Sequence, residues 1–584
     1  MARRNNNPVT QAASASPAQA EAILRKHLRS RPKDQAALEA LADVLTLQGR
    51  LSEISTALID AAKSPRASAA VIGYSCDVAN AAGAPLGALR LAQHGTSLHP
   101  DSVPLWRHRG KAEMATADAP SAAASFERAH ALAPDDTDIL ASLSDADLSR
   151  GAFPVPDKYA KMLLELEPDN AVHHVRLGTA HRFNDRLDDA EACFRRAIEL
   201  DANLQTAYAG LSETLESKGD SESAAAQLAP LIAGGKPSFT IVSAWARVQQ
   251  QLGDLPGAIG VMEQYLASGR GTLAHKSNVL MRLGRAYEKS GRYSDAFRCW
   301  TQGNKAHNGR WDPDARQVFV DRMINTLSKE QLPSLPRAAA APFTPILVVG
   351  MYRSGTTLTE QILSSHPMIA PVGESPALPH AIKALAEAAG AMERFPDTLA
   401  DVTPEIVAMA RDIYIDEVRA QVGESPLIVD KLPMNYLNVG IASLLLPNAR
   451  VLHLMRDPMD TAVSCFSQSF ASRMAFTADL EHLGRAIVQE RHIMSHWHEV
   501  CDLPMLDVRY ELLVSNPKEV LGDVLEFLGI PWDDAVLRFH ESKRVAATPS
   551  MDQVRKPINT SAIGRAERFG ELLDPLRRAL GDVV

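Results

Sequence analysis

Cysteine is scarce in this 584-residue chain: five lie scattered at Cys76, Cys193, Cys299, Cys465 and Cys501, with no CxxC pair. An odd number of isolated thiols argues against a disulfide framework or a structural zinc site and suits free thiols in a reducing compartment. Long apolar runs are lacking too. No segment approaches 18 uninterrupted apolar residues, and the two arginines of the N-terminal MARRNNNPVTQAASASPAQ are not followed by an apolar stretch. Neither a membrane span nor a secretory signal is read, and a cytoplasmic location is expected. Nor is there an excess of positive charge: 61 Lys+Arg face 70 Asp+Glu, a net charge of −9. That balance gives no chain-wide reason to bind nucleic acid, so any anion site must be local.

What is present is material for several cores. Hydrophobic residues make up 46% and charged residues 22%, near globular averages, and the length is too great for one core. At about 150 residues per domain, the prior is roughly four units, or fewer larger ones.

The first half repeats itself. Pro100, Pro134 and Pro168 are spaced by 34 residues, and Ala20, Ala88, Ala122, Ala190, Ala224 and Ala258 form a second series at steps of 34 or 68. Within one copy stand Gly110, Ala122, Phe126, Ala129 and Pro134; Gly178, Ala190, Phe194 and Ala197 fill the matching slots of a later one. Small residues suit a close helix crossing, the phenylalanines fill the adjoining core, and proline ends the second helix. This pattern resembles the tetratricopeptide repeat. The resemblance covers roughly residues 18 to 310 and includes an off-register copy with Gly284, Ala296 and Trp300. Copies near residues 50–80 and 145–165 are degenerate. The expected organisation is a disordered tail at 1–17, a helical-repeat domain at 18–330, a linker at 331–343 and a second domain at 344–584. A repeat groove is expected to bind a peptide or protein; a spacer or a dimerisation surface is the alternative.

The second domain opens with an anion-binding loop. Ile346 to Val349 reads as a strand, Gly350-Met-Tyr-Arg-Ser-Gly355-Thr-Thr as a glycine loop, and LTEQILSSHP as a helix. This order places backbone N–H groups at a helix N-terminus, where they favour a phosphate. In a nucleoside-triphosphate loop the residue after the second glycine is lysine; here it is Thr356, and Arg353 sits inside the loop. The apparatus for a metal-bound triphosphate is incomplete, so transfer without a metal is the better reading. Arg456 follows the strand Val451 to Met455 at its carboxyl edge, Asp457-Pro458 opens the next helix, and Ser464 lies about two turns on. Lys431 follows the apolar run Leu427 to Val429 and is expected at another strand's carboxyl edge, with a surface ion pair to Asp430 as its alternative role.

These motifs resemble sulfotransferases that use 3′-phosphoadenosine 5′-phosphosulfate (PAPS), over roughly residues 344 to 570. PILVVGMYRSGTTLTEQILSSHP looks like the 5′-phosphosulfate loop, and Arg456 through Ser464 like the 3′-phosphate element. VGESPALP, DKLP, RYELLVSNP and SMDQVRKPIN bring the resemblance closest to the tyrosylprotein sulfotransferase branch, and joined to the repeats the chain looks like the tetratricopeptide-repeat sulfotransferases. The fold implied is an α solenoid followed by an α/β P-loop-like domain with a mainly parallel sheet.

The resemblance implies PAPS as co-substrate and PAP as product, with no metal required. Arg353, Ser354, Gly355, Thr356 and Thr357 would hold the 5′-phosphosulfate; Arg456 and Ser464 would hold the 3′-phosphate, with Arg565 beside it. Tyr510 would contact the adenine. Glu374 falls at the catalytic base, with His366 as second choice, while Lys431, Arg353 and Ser550 would meet charge at the leaving oxygen. Lys556 is a further cation in the late segment. Tyr352 stands where the loop often carries proline, and Ala566 where an aromatic residue is usual. The leading acceptor is a peptide tyrosine. A carbohydrate or small-molecule hydroxyl, a P-loop kinase or NTPase, and an inactive repeat scaffold are the alternatives. The cluster His492, His496 and His498 is read as ordinary helix residues around Trp497 rather than a metal site.

Overall fold

The computed structural model describes residues 7–116, 118–150, 154–305, 309–390, 392–470, 472–541 and 557–583. The chain divides into two compact units between Gly253 and Asp254.

The first unit is built of antiparallel helix pairs. Val103–Ala115 pairs with Ala119–Leu132, and Ala171–Phe183 with Leu187–Leu200. Each pair closes because a small residue faces a large one: a Cβ on Gly110 would lie 2.5 Å from Phe126 Cε1, so the helices can approach only with hydrogen at that position. Phe126 and Phe194 are each 1% exposed, and burying such a ring contributes roughly 2–3 kcal/mol. The prolines act as read: the helices ending at Leu98, Leu132 and Leu166 are followed at once by Pro100, Pro134 and Pro168. The degenerate copies survive as short helices, Ser55–Ala62 and Lys158–Leu166.

The expectation of a disordered tail at 1–17 is corrected in its described part. A helix runs over Pro8–Ala13, where Asn7 accepts a hydrogen bond from the Val9 N–H and Ala12 is buried.

The second unit holds the last helices of the repeat region, Leu255–Ala267, Leu273–Lys289, Tyr293–Lys305 and Pro313–Thr326, together with the α/β domain. These helices fold with the sheet domain, so the compact division does not follow the 330/331 boundary. The off-register copy packs Trp300, fully buried, against Phe569 near the C-terminus, with ring centroids 5.4 Å apart. Asn304 donates to the Phe466 carbonyl at 2.9 Å. The segment read as a linker is also tied down, because Asn448 bonds the backbone of Ala341 and Phe343 and the Ala338 N–H donates to the Leu444 carbonyl.

The sheet has five strands, β1 (Thr344–Gly350), β2 (Ile369–Gly373), β3 (Leu427–Lys431), β4 (Arg450–Met455) and β5 (Met505–Arg509), in the order β2-β3-β1-β4-β5, all parallel. β1 and β3 are almost wholly buried, as strands covered by helices on both faces must be, whereas the edge strands β2 and β5 are half-buried. With β1 central, the carboxyl ends of β1, β3, β4 and β5 deliver the loop after Gly350, Lys431, Arg456 and Tyr510 to one edge.

Candidate active site

At the end of β1 the chain turns through Met351–Gly355 into the helix Thr356–Leu363. Gly355, its N-cap, has φ +108°, and a Cβ there would sit 2.7 Å from Tyr510 Cδ2. Glycine is needed both for that left-handed turn and for the room beneath the tyrosine ring. Arg353 also has a positive φ, 69°, an uncommon and costly geometry for a residue with a Cβ. Thr356 and Thr357 occupy the first helical turn, whose N–H groups have no acceptor within the helix, and Ser354 is buried with its Oγ lacking any hydrogen-bond partner among the described residues. A buried hydroxyl of this kind, set in a turn of forward-facing N–H groups, fits an anionic ligand.

Around the loop the structure gathers three guanidinium groups. Arg353 Nε donates to Ser464 Oγ at 3.1 Å, so the loop arginine reaches the helix Pro458–Phe466 that follows β4. Arg456, 7% exposed, donates from Nη1 to the Arg353 carbonyl and from Nη2 to the Ala562 carbonyl; its Nε is buried without a partner among the described residues. Its guanidinium also lies 4.6 Å from the centre of the Tyr510 ring. Tyr510 thus wedges between Gly355 and Arg456. Arg565 donates from Nη2 to Ser467 Oγ at 3.0 Å and pairs with Glu288 of the helix Leu273–Lys289. Burial pulls the Arg353 guanidinium below its ordinary value; the Cys465 thiol opposes this, and the nearby Arg456 and Arg565 charges add to it. Like charges brought this close in a covered site favour an anion among them.

Asp460 was not singled out from sequence. Buried one turn after Arg456, it accepts from the Gly564 and Ala566 N–H groups, both at 2.7 Å. It therefore pins the segment that carries Arg565, and Ala566 serves through its backbone where an aromatic residue was expected. The only sequence signal was an acid in the first turn of a helix, which is too common to point anywhere.

On the other side of the loop, β3 ends at Lys431, which is fully buried. Its Nζ donates to Glu374 Oε1 at 2.5 Å and lies 3.8 Å from Glu360 Oε2. Glu374 follows the last residue of β2 and keeps 38% of its side chain exposed. The alternative pairing of Lys431 with Asp430 is not formed: Asp430 accepts from the Tyr414 hydroxyl at 3.3 Å, and burial pushes its carboxyl up to about 7. His366, the second candidate base, is corrected. It is 2% exposed, its Nδ1 accepts from the Met368 N–H, and its Nε2 therefore donates to the Pro531 carbonyl, which leaves no nitrogen to take a proton. Ser550 and Lys556 lie outside the described residues.

Two of the helix histidines have separate partners. His496 Nε2 meets the Leu327 carbonyl, while His498 Nε2 lies 3.0 Å from Asp507 Oδ1. Asp507 also meets His453 Nδ1 at 2.8 Å, and His453 Nε2 meets Glu490 at 2.6 Å. Burial alone would depress His453, but the bonds to Asp507 and Glu490 raise it to about 9. Through these two bonds His453 ties β4 to β5 and to the helix Leu480–Val500.

Residues 345–534 match the family model described as the sulfotransferase family, and residues 174–204 match the tetratricopeptide repeat. An uncharacterized protein of Aquifex aeolicus is 36% identical over 303 residues, which is 50% of this chain and 40% of that protein. The protein-tyrosine sulfotransferase of Drosophila melanogaster is 30% identical over 41% of this chain and 50% of its own length. Protein-tyrosine sulfotransferase 1 of Danio rerio is 28% identical, over 43% of this chain and 73% of its own length. The chain spans about half the length of the first two relatives. The α/β domain thus carries, at residues 345–534, a match to the sulfotransferase family, in one chain with a match to the tetratricopeptide repeat.

Proposed function

We propose that this chain transfers a sulfuryl group from PAPS to an acceptor hydroxyl, with a peptide tyrosine as the leading acceptor. The observation that carries the reading is the gathering of Arg353, Arg456 and Arg565 with Ser464 beside a loop whose buried Ser354 hydroxyl has no hydrogen-bond partner among the described residues. When bound, PAPS supplies the activated sulfuryl group and a bisphosphate leaving group. Toward it, Ser354, Thr356, Thr357 and the helix N-terminus bind the 5′ side, while Arg456 and Ser464 meet the 3′-phosphate. Arg353, which touches Ser464, spans the two. Tyr510 covers the loop and borders the adenine position.

Lys431 is the cation held for charge on the leaving oxygen, and Glu374 is the general base. Its exposed carboxylate can meet an acceptor hydroxyl and take its proton, while the bond to Lys431 fixes its direction. Relatives named protein-tyrosine sulfotransferase support a peptide acceptor, and the repeats support recognition of a peptide or protein, or self-association. Among the described residues no helix is long and apolar enough to cross a membrane.

The test is incubation of the full chain with labelled PAPS and a panel of tyrosine peptides, glycans and small phenols, with and without a chelator. Label on tyrosine peptides, undiminished by chelation, is expected. Tighter binding of magnesium-ATP than of PAP would instead favour a kinase, and failure to bind either nucleotide an inactive scaffold.

A further inference from the structure

Arg565 stands at the meeting point of the nucleotide loop and the last repeat hairpin. Its Nε and Nη2 donate to the two carboxylate oxygens of Glu288, at 2.6 and 2.8 Å, and the Glu288 and Arg565 side chains are only 14% and 17% exposed. The guanidinium lies 5.5 Å from the centre of the Trp300 ring, and Nη2 also donates to Ser467 Oγ. Glu288 comes from the first helix of the hairpin and Trp300 from the second, Tyr293–Lys305. Phe569 fills the corner behind them, against Tyr293, Phe297 and Trp300. Thus the repeat holds one edge and one face of the arginine. Nη1 is the guanidinium nitrogen that neither Glu288 nor Ser467 engages, on a side chain whose charge is felt at Arg353.

We propose that Glu288, with Trp300 beneath the same guanidinium, is a positioning residue of the nucleotide site: the last repeat hairpin fixes Arg565 so that it can meet the 3′-phosphate. This rests on the PAPS reading above. A bidentate carboxylate sets both the plane and the direction of a guanidinium, which a single hydroxyl contact cannot do. Without it, Arg565 is repelled by Arg353 and Arg456 and is free to turn toward solvent. The repeats then contribute to nucleotide affinity as well as to any acceptor they hold, and whatever moves this hairpin alters the hold on PAP.

The experiment is calorimetric binding of PAP and of 5′-AMP to the full chain, for wild type, Glu288→Ala, Glu288→Gln, Arg565→Ala and the Glu288→Ala/Arg565→Ala double variant, with melting temperatures alongside. Glu288→Ala is expected to weaken PAP about tenfold with unchanged affinity for 5′-AMP, which lacks the 3′-phosphate; Glu288→Gln should fall between. In the Arg565→Ala background the Glu288 change should cost nothing more. Additive losses, equal losses for both nucleotides, or tighter PAP binding by Glu288→Ala would overturn the proposal. If wild type prefers PAP to 5′-AMP but Glu288→Ala binds like wild type, only the positioning role falls. If wild type shows no preference for PAP, the PAPS reading itself falls.

Discussion

Lys431 Nζ donates to Glu374 Oε1 at 2.5 Å, joining a fully buried ammonium to a carboxylate that still reaches solvent. The two residues are 57 positions apart and come from the carboxyl ends of neighbouring strands β3 and β2. The burial of Lys431 requires a counter-charge, and Glu374 meets that need while keeping an oxygen accessible to an acceptor. One pair thereby couples the stability of the edge to its chemistry.

Replacing Glu374 with glutamine keeps the shape and removes the base. Sulfuryl transfer is expected to fall by about 10²–10⁴-fold, with PAP affinity nearly unchanged. Single-turnover transfer measured beside PAP binding checks this; transfer at the wild-type rate would remove Glu374 from the mechanism.

Arg456→Ala takes away a buried guanidinium and should weaken PAP by about 100-fold, since charge-assisted bonds of this kind contribute about 1.5–3 kcal/mol. The loss should be much smaller for 5′-AMP. Equal losses for the two nucleotides would show that Arg456 does not read the 3′-phosphate.

At Gly355 the backbone and the packing make the same demand. Gly355→Ala places a Cβ on a residue at φ +108° and into the Tyr510 ring, at an expected cost of about 1–3 kcal/mol in denaturant unfolding. A variant as stable as wild type, with unaltered PAP affinity, would mean that the turn relaxes freely.

The ion network at His453 gives a pH dependence with a definite sign. Its folded value of about 9 lies above the ordinary 6.5, so its contribution is fully present below about pH 6.5 and is lost as pH rises through about 9. Thermal unfolding of wild type between pH 6.5 and 9 should show stability declining by on the order of 2 kcal/mol. His453→Asn should lack that component, and an identical slope in the variant would assign it to other groups.

The sequence by itself determined whatever depends on local pattern. A 34-residue period announces stacked hairpins because each helix pair needs the same small-to-large match, as Gly110 and Phe126 show. The strand, glycine loop and helix at 346–363 were legible because the anion-binding turn is made from consecutive residues. Lys431 and Arg456 could be set at strand ends because each follows an apolar run.

Only the tertiary structure decided which of these residues meet. Arg353 and Ser464, read as serving opposite ends of the nucleotide, touch one another because β1 and β4 are neighbours in the sheet. His366 lost its candidacy to two backbone bonds that close on it from Met368 and Pro531. No distinctive sequence signal marked Asp460 or Glu288, since what distinguishes them is the partner each finds about 100 and 277 residues away. Periodicity reports what a segment does with its own residues; the pairing of distant charges is set by how sheet and helices pack, and no local pattern encodes it.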